Sequence, residues 1–328
     1  MDNVCHTLVG AALAETGLKH RTRYGAAALM IAANLPDVDV LVFATNTPSV
    51  AFRRGWTHGI LAQLVLPLAL ALAFSWWQRR KTKDRRPKPE DRLPKPPLRF
   101  WWLVGFGYLG IYSHVFLDYL NNYGVRLLNP FDWHWLYGDA VFIVDPWLWI
   151  TLGLGVWFAR RRARPRAALV ALGVAVVYIA GMLTLAQDAR RFVIGEWQAR
   201  AGQPPRALMV GPVPVVPWTR EVIIDAGDAY RVGLYTVWPR RLQLYVEIIP
   251  KNDRLPAVAA ARNEPRVAAF LVWARFPFWE LMPSASGTVA TVRDVRFRQR
   301  VAGGFNATAV VHEGPQTPAR SAGNQTQD

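Results

Sequence analysis

A histidine and an aspartate lie four residues apart inside an otherwise apolar run of the chain. The run covers residues 100–120, and it carries His114 and Asp118 near its end. On a helix, residues at this spacing lie on one face, so both side chains can reach the same ion. Histidine and carboxylate suit zinc, manganese or iron where no thiolate is present. The pair predicts a metal site, although a structural hydrogen-bonded pair has the same spacing.

Three other stretches carry companion residues with similar chemistry. They contain His6, the segment Pro36-Asp37-Val38-Asp39, and the segment Arg53-Arg54-Gly55-Trp56-Thr57-His58. We predict that the chain folds to bring these residues together around a divalent metal, with zinc preferred and manganese or iron as alternatives. The predicted ligands are His6, Asp37, His58, His114 and Asp118. Asp39 is predicted to be a ligand or a general base, and Arg54 to contact an anionic substrate oxygen.

Each motif on its own also has a structural explanation. Pro-Asp-Val-Asp is typical of a helix end with aspartate in a turn. Thr57 and His58 are typical of an N-cap that opens a helix, and Arg53 and Arg54 of anchors at a membrane interface. Asp145 precedes Pro146, as in an N-cap followed by proline at the first helical position. The metal site therefore depends on the motifs occurring together.

The apolar residues are distributed as in a membrane protein with an attached soluble domain. Hydrophobic residues make up 52% of the 328 residues, in blocks before about residue 188 and in alternation with polar residues after it. We predict a multi-pass α-helical membrane domain over residues 1–187, with four or five spans and a disordered basic loop at residues 79–99. A small, β-rich α+β soluble domain is predicted over residues 188–315, followed by a disordered tail over residues 316–328.

Proline breaks one of the predicted spans. The candidate spans cover residues 24–43, 57–78, 100–120, 140–158 and 167–186, with a marginal segment at residues 4–18. A full crossing needs roughly 20 apolar residues. Pro36 disfavours a helical conformation at Leu35, so we expect the helix to end or kink there.

The positive charge lies beside the apolar blocks. The net charge is +16, from 39 Lys and Arg against 23 Asp and Glu, and it is concentrated at residues 79–99 and 160–166. Basic loops next to spans follow the positive-inside pattern, which argues against a nucleic-acid partner. With both loops in the cytoplasm, every candidate ligand falls at the outer membrane face, and the C-terminal domain lies outside the cytoplasm. The single cysteine, Cys5, excludes an intramolecular disulfide and a Cys-rich zinc site.

The ordered motifs resemble those of the predicted membrane-bound metal-dependent hydrolases, a bacterial inner-membrane family with one branch linked to the DNA-damage response. The match covers about residues 1–150. It consists of His6, Pro36-Asp37-Val38-Asp39, Arg54-Gly55-Trp56-Thr57-His58, His114 with Asp118, Asn122-Tyr123-Gly124, Asn129-Pro130-Phe131 and Asp145-Pro146. Arg53 stands where that family has the first histidine of its box, and Gly59 where it has serine. The departures favour either a site for one metal instead of two or a reduced activity.

The resemblance implies metal-dependent hydrolysis of an ester or phosphoester in a bacterial inner membrane. We expect the substrate to be a lipid or another amphiphile that reaches the site from the outer leaflet. One alternative is a non-enzymatic integral membrane protein that uses the same residues for a structural metal or a polar network. A transporter with an ion site is disfavoured, because such sites lie near the bilayer midplane and these residues cluster at one face.

Overall fold

The computed structural model describes residues 1–45, 47–83, 96–298 and 305–312. Residues 84–95 of the predicted basic loop, and the whole predicted tail at residues 316–328, lie outside the described residues. The chain forms two compact units, Met1–Ile248 and Ile249–Asp328. A helical region is followed by β-sheet, as the sequence predicts.

The first unit combines helices with a four-stranded sheet. Its α-helices are α1 (Asn3–Glu15), α2 (Gly25–Ala32), α3 (Ser49–Phe52), α4 (Ile60–Lys83), α5 (Phe100–Tyr119), α6 (Pro146–Arg162) and α7 (Pro165–Ala201), with 3₁₀ helices at Leu18–His20 and Leu35–Ala44. The strands β1 (Ala207–Pro212), β2 (Thr219–Asp225), β3 (Ala229–Thr236) and β4 (Arg241–Pro250) follow in spatial order.

The predicted domain boundary between residues 187 and 188 falls inside α7. Average hydropathy drops there, but the helix continues because its last turns pack against the sheet. Ala189 and Val193 are buried in one core with Leu208, Val222 and other strand residues. The four strands therefore belong with the helices to the compact unit Met1–Ile248.

Within the described residues, three helices are long and apolar enough to cross a membrane. They cover Ile60–Lys81, Phe100–Tyr119 and Pro165–Ala201. The pair Gly25–Ala32 and Leu35–Ala44, bent by 53°, gives a fourth if it is counted as one span. This bend confirms the interruption expected at Pro36. The span predicted over residues 140–158 is the 17-residue helix α6, which begins with Asp145 as its N-cap and Pro146 as its first residue.

Contacts between helix ends place the candidate ligands at one end of the bundle. His6, in the first turns of α1, lies beside Asp118 at the end of α5. At the opposite end of α1, Glu15 forms an ion pair with Arg160 at the end of α6, with Oε1 and Nε 2.8 Å apart. The candidate ligands and the Glu15–Arg160 ion pair therefore lie at opposite ends of α1.

A glycine allows α5 to approach α2 closely next to this site. A Cβ atom at Gly110 would lie 2.5 Å from the Cβ atom of Ala32 and 2.9 Å from the backbone nitrogen of Ala33. A Cβ atom at Gly105, on the same helix, would meet nothing within 4 Å. Small residues of this kind let helix backbones pack closely in a membrane.

We expect Gly110→Ala to destabilise the protein and Gly105→Ala to leave it unchanged or slightly more stable. The first change forces α2 and α5 apart, and overpacking of this kind costs roughly 1–3 kcal/mol. The second adds helix propensity without a clash. Thermal unfolding of the two variants in the same detergent measures the difference. Equal melting temperatures would contradict the close approach.

The second unit is a small α+β domain. Helices α8 (Pro256–Ala261) and α9 (Pro265–Trp273) precede an antiparallel sheet of β5 (Pro277–Ser284), β6 (Gly287–Asp294) and β7 (Asn306–Val311). Its core contains a buried ion pair, with Arg296 Nη2 2.8 Å from Asp294 Oδ2. Burial alone raises the pKa of the Asp294 carboxyl, but Arg296 and backbone N–H donors hold that pKa below its ordinary value.

We expect Asp294→Asn to destabilise this unit by roughly 3–5 kcal/mol, because Arg296 is left buried without its partner. The lowered folded-state pKa means that the Asp294 contribution is present above pH of about 4 and is lost as pH falls further. Protection factors for β6 amides, measured by hydrogen exchange at several pH values, should show this acid dependence in the wild type and a flatter one in the variant.

Glu280→Gln is the matched control, since the Glu280–Arg293 pair is partly exposed and such pairs contribute about 0–1 kcal/mol. Equal protection in both variants would refute the role of the pair.

Candidate metal centre

Three separate segments bring four ligand-type side chains together. Asp37 comes from the 3₁₀ helix after α2, His58 from the loop before α4, and His114 and Asp118 from successive turns of α5. One potential ligand atom from each residue lies within 4.8 Å of all the others, and all four residues are buried. The structure therefore brings together four of the five predicted ligands.

The imidazole rings of His58 and His114 face each other through their Nε2 atoms. His58 Nε2 lies 3.1 Å from His114 Nε2. Asp118 Oδ2 lies 3.3 Å from the first nitrogen and 3.6 Å from the second. Asp37 Oδ1 lies 3.9 Å from each. All four atoms converge on one small volume.

Hydrogen bonds at the far side of each ring determine which nitrogen carries the proton. His114 Nδ1 lies 2.8 Å from the Ala33 carbonyl oxygen, and a carbonyl only accepts, so Nδ1 donates. His58 Nδ1 lies 3.0 Å from Thr57 Oγ1. That hydroxyl can accept from Nδ1 while it donates to Asp39 Oδ2, 3.2 Å away. Both Nε2 atoms then present lone pairs, as in metal-bound histidines held by outer hydrogen bonds.

This arrangement fits a divalent cation. Two nitrogen lone pairs that face each other in a buried site repel, because electrostatic interactions there are stronger than in water. A bound cation turns that repulsion into attraction. Two imidazoles and two carboxylates form a donor set that suits zinc, and also manganese or iron.

Arg54 is bound to the Asp118 carboxylate. Its Nε lies 2.9 Å from Oδ2 and its Nη2 3.0 Å from Oδ1, and its Nη1 donates to Asn121 Oδ1. Arg54 is only 4% exposed, and it adopts a left-handed backbone conformation with φ of 55°. The α-ammonium of Met1 also contacts this carboxylate. Arg54 therefore orients a ligand, and its predicted contact with a substrate anion stays a prediction.

Asp39 is not one of the four residues whose potential ligand atoms converge, but it contacts their neighbours. Its carboxylate accepts from the Arg54 backbone N–H at 2.8 Å, from Thr57 Oγ1 and from Arg53 Nε at 3.2 Å. These donors make Asp39 an anchor for the loop that carries His58. The residue types alone do not distinguish this role of Asp39 from that of Asp37, two residues earlier.

Arg53 reaches both aspartates of the Pro-Asp-Val-Asp segment. Its Nε lies 3.2 Å from Asp39 and its Nη2 3.5 Å from Asp37, and the side chain is 24% exposed. Burial alone lowers the pKa of the guanidinium, but Asp39, Tyr123 and Asp37 outweigh it and raise the pKa. A fixed positive charge therefore lies against the two carboxylates, at the position where the resembled family has a histidine.

His6 lies beside the four ligand atoms. Its ring stacks on His114 with 3.8 Å between centroids, and its Nε2 lies 3.3 Å from Asp118 Oδ1. Within the described part of the chain, neither ring nitrogen makes a hydrogen bond. Its role as a ligand stays a prediction.

Gly59 has a steric explanation. A Cβ atom at this position would lie 2.3 Å from the Asn129 carbonyl oxygen. The loop after His58 therefore packs too closely on Asn129 for the serine of the resembled family.

A groove of about 390 Å³ leads to Asp37. It runs between α1 and the end of α2, and its lining is largely apolar, with Met30, Ile31 and Leu35 among the residues. Asp37 thus belongs both to the buried cluster and to the lining of this open, largely apolar groove.

A bundle of apolar helices with a buried His/Asp cluster at one end defines an integral membrane protein with a candidate metal centre. The chain belongs to the YdjM inner membrane protein family, whose model matches residues 1–188. This supports the predicted inner-membrane location. The chain is also 22% identical to an uncharacterized protein, YfhP, of Bacillus subtilis (strain 168), over 98% of this chain and 94% of that protein. No solved structure matches.

We expect the purified protein to contain about one divalent ion per chain. His58→Ala and His114→Ala should remove it, and Thr57→Val should weaken its binding about 10- to 100-fold, because the outer hydrogen bond to His58 is lost. Metal content is measured by plasma mass spectrometry after purification in detergent.

His134→Ala is the matched control for these variants. His134 is exposed and interacts with Asp132, away from the four ligand atoms. Metal retained in His58→Ala and His114→Ala, or lost equally in His134→Ala, would contradict the assignment of the centre.

Proposed function

We propose that this protein is a membrane-bound metal-dependent hydrolase that acts on an ester or phosphoester of a lipid or another amphiphile. The observation that carries the proposal is the convergence of Asp37, His58, His114 and Asp118 at the end of an apolar groove. A divalent ion held at such a site would lower the pKa of a bound water to about 7 and so supply a nucleophile at neutral pH.

The surrounding residues support this chemistry by orienting the ligands. Ala33 and Thr57 fix the two rings so that both Nε2 atoms point inward. Arg54 holds Asp118 through two nitrogens, and Asp39 holds Arg54 and Thr57. We therefore propose Asp39 and Arg54 as positioning residues. A contact of Arg54 with the substrate would require it to leave Asp118.

Arg53 is the better candidate for binding an anionic oxygen of the substrate. It is more exposed than Arg54, and one guanidinium edge faces Asp37 next to the groove. A planar guanidinium can hold a phosphoryl or carboxyl oxygen while it keeps its carboxylate partners. This would place the substrate's charged group beside the ligands and its apolar part in the groove.

The substrate class follows from the lining of the groove. Ile31 and Val38 expose apolar surface there, next to helices that are apolar enough to enter a bilayer. An amphiphile can approach from the lipid without a fully aqueous path. From the positive-inside rule we propose that this end of the bundle lies at the outer membrane face. We also propose that the C-terminal unit lies outside the cytoplasm.

A structural metal is the second candidate function, and one specific observation favours it. Four buried protein ligands resemble a closed site, whereas catalytic zinc sites usually have three protein ligands and an open position. In that case the ion would only hold α5 against the loop before α4.

Turnover in reconstituted vesicles distinguishes the two functions. We expect hydrolysis of a fluorogenic phospholipid or of a nitrophenyl phosphodiester by the metal-loaded protein, and none by His114→Ala. Arg53→Gln should lower kcat/KM roughly 10- to 100-fold, because a hydrogen bond to a charged group contributes about 1.5–3 kcal/mol. His134→Ala should match the wild type.

A metal-loaded protein that hydrolyses neither substrate class, but melts at a lower temperature after chelation, would support the structural alternative. Hydrolysis that persists in His114→Ala would assign the activity to a contaminant.

A further inference from the structure

We propose that the α6–α7 hairpin binds an anionic phospholipid, with the headgroup on the arginines of the turn and the acyl chains along the two helices. The site lies at the opposite end of α6 from the candidate metal centre. It is independent of the proposed hydrolase activity.

The hairpin forms a groove of about 960 Å³. Exposed apolar side chains of Leu154, Val170 and Val174 line it along the helices. Its floor is closed where the helices touch, since a Cβ atom at Gly155 would lie 2.2 Å from the Cβ atom of Ala171. The shape suits a hydrocarbon chain that lies along the hairpin.

Three arginines line this groove near the turn. Arg162 packs over Phe158, while Arg164 and Arg166 lie at the start of α7. Among the described residues, no carboxylate lies within ion-pair distance of these three, whereas the neighbouring Arg160 is paired with Glu15. The groove therefore combines an apolar length with an uncompensated positive end.

Helix stability does not explain Arg164 and Arg166. Arg160, Arg161 and Arg162 lie in the last turn of α6, where positive charge is favourable. Arg164 and Arg166 flank the first residue of a 37-residue helix, where positive charge is unfavourable. A phosphate bound there would reverse that effect, because a helix N-terminus and arginine side chains both attract anions.

A bilayer phospholipid fits both parts of this surface. Basic pockets between membrane helices are sites for anionic headgroups, and the adjoining apolar surface matches the acyl chains. A soluble anion would use only the arginines and would leave the apolar length of the groove uncovered.

Native mass spectrometry of the delipidated full-length protein in a neutral detergent tests the proposal. Phosphatidylglycerol and phosphatidylcholine with the same acyl chains are titrated separately. We expect phosphatidylglycerol to bind more tightly, and Arg164→Gln with Arg166→Gln to weaken its binding about tenfold or more, given the contribution of each basic residue near a headgroup.

Two further variants separate the effect of charge from the effect of the shape of the groove. Arg241→Gln with Arg266→Gln removes the same charge from exposed positions outside the groove and should bind phosphatidylglycerol as the wild type does. Val174→Trp fills the groove without changing charge, so it should weaken binding even if loss of the arginines disturbs membrane insertion.

The proposal is overturned if the two lipids bind equally, or if the control pair weakens binding as much as the pair at the turn. It is also overturned if inorganic phosphate at millimolar concentration displaces the lipid completely, which would identify a soluble anion as the ligand. Unchanged lipid binding in Val174→Trp would exclude the acyl-chain part of the site.

Discussion

Two imidazole nitrogens face each other across 3.1 Å in a buried site, with two carboxylates beside them. The His114 ring donates from Nδ1 to the Ala33 carbonyl oxygen, and the Thr57 hydroxyl can accept from His58 Nδ1. With these two hydrogen bonds, both inward nitrogens of the neutral rings are unprotonated. The two facing lone pairs repel each other without a cation and are stabilised by one, while Arg54 and Arg53 already offset the charges of Asp118 and Asp37. The ligands, the residues that orient them and the groove that reaches them all follow from this constraint.

The backbone is arranged to maintain that convergence. Gly110 lets α5 touch the end of α2, which brings the Ala33 carbonyl to His114. Pro36 ends the regular helix, and the 53° bend directs Asp37 toward the same point. The left-handed conformation of Arg54 turns the next loop so that His58 meets His114. Backbone strain at a single residue is of order 1–3 kcal/mol and is tolerated when the surroundings fix it; here Asp39 and Asp118 do so.

The cluster of Asp37, His58, His114 and Asp118 was predictable because polar residues are costly inside apolar runs and therefore indicate a functional site. His114 and Asp118 share a helix face, and the ordered motifs before them completed the set. The roles of neighbours were not predictable. Asp37 and Asp39 differ by two residues in a 3₁₀ helix, and only the fold decides which one faces His58 and His114.

Arg53 and Arg54 show the same limit. A positive φ at Arg54 sends adjacent side chains to different partners, and no residue type near them signals that conformation. At a larger scale, the strands β5 and β7 have weak sequence signals. The strand β5 begins at a proline and contains another, and β7 is only 6 residues long. The predicted span ended before α7 does, because hydropathy identifies only its continuously apolar segment. The last turns of α7 are instead held by the core that they form with the sheet.

X-ray absorption spectroscopy of the protein as purified reports the atoms around the metal itself. We expect a first shell of nitrogen and oxygen only, at about 2.0–2.2 Å for zinc, with the outer scattering of two imidazole rings. A shell that contains sulfur, or one without imidazole scattering, would contradict this expectation.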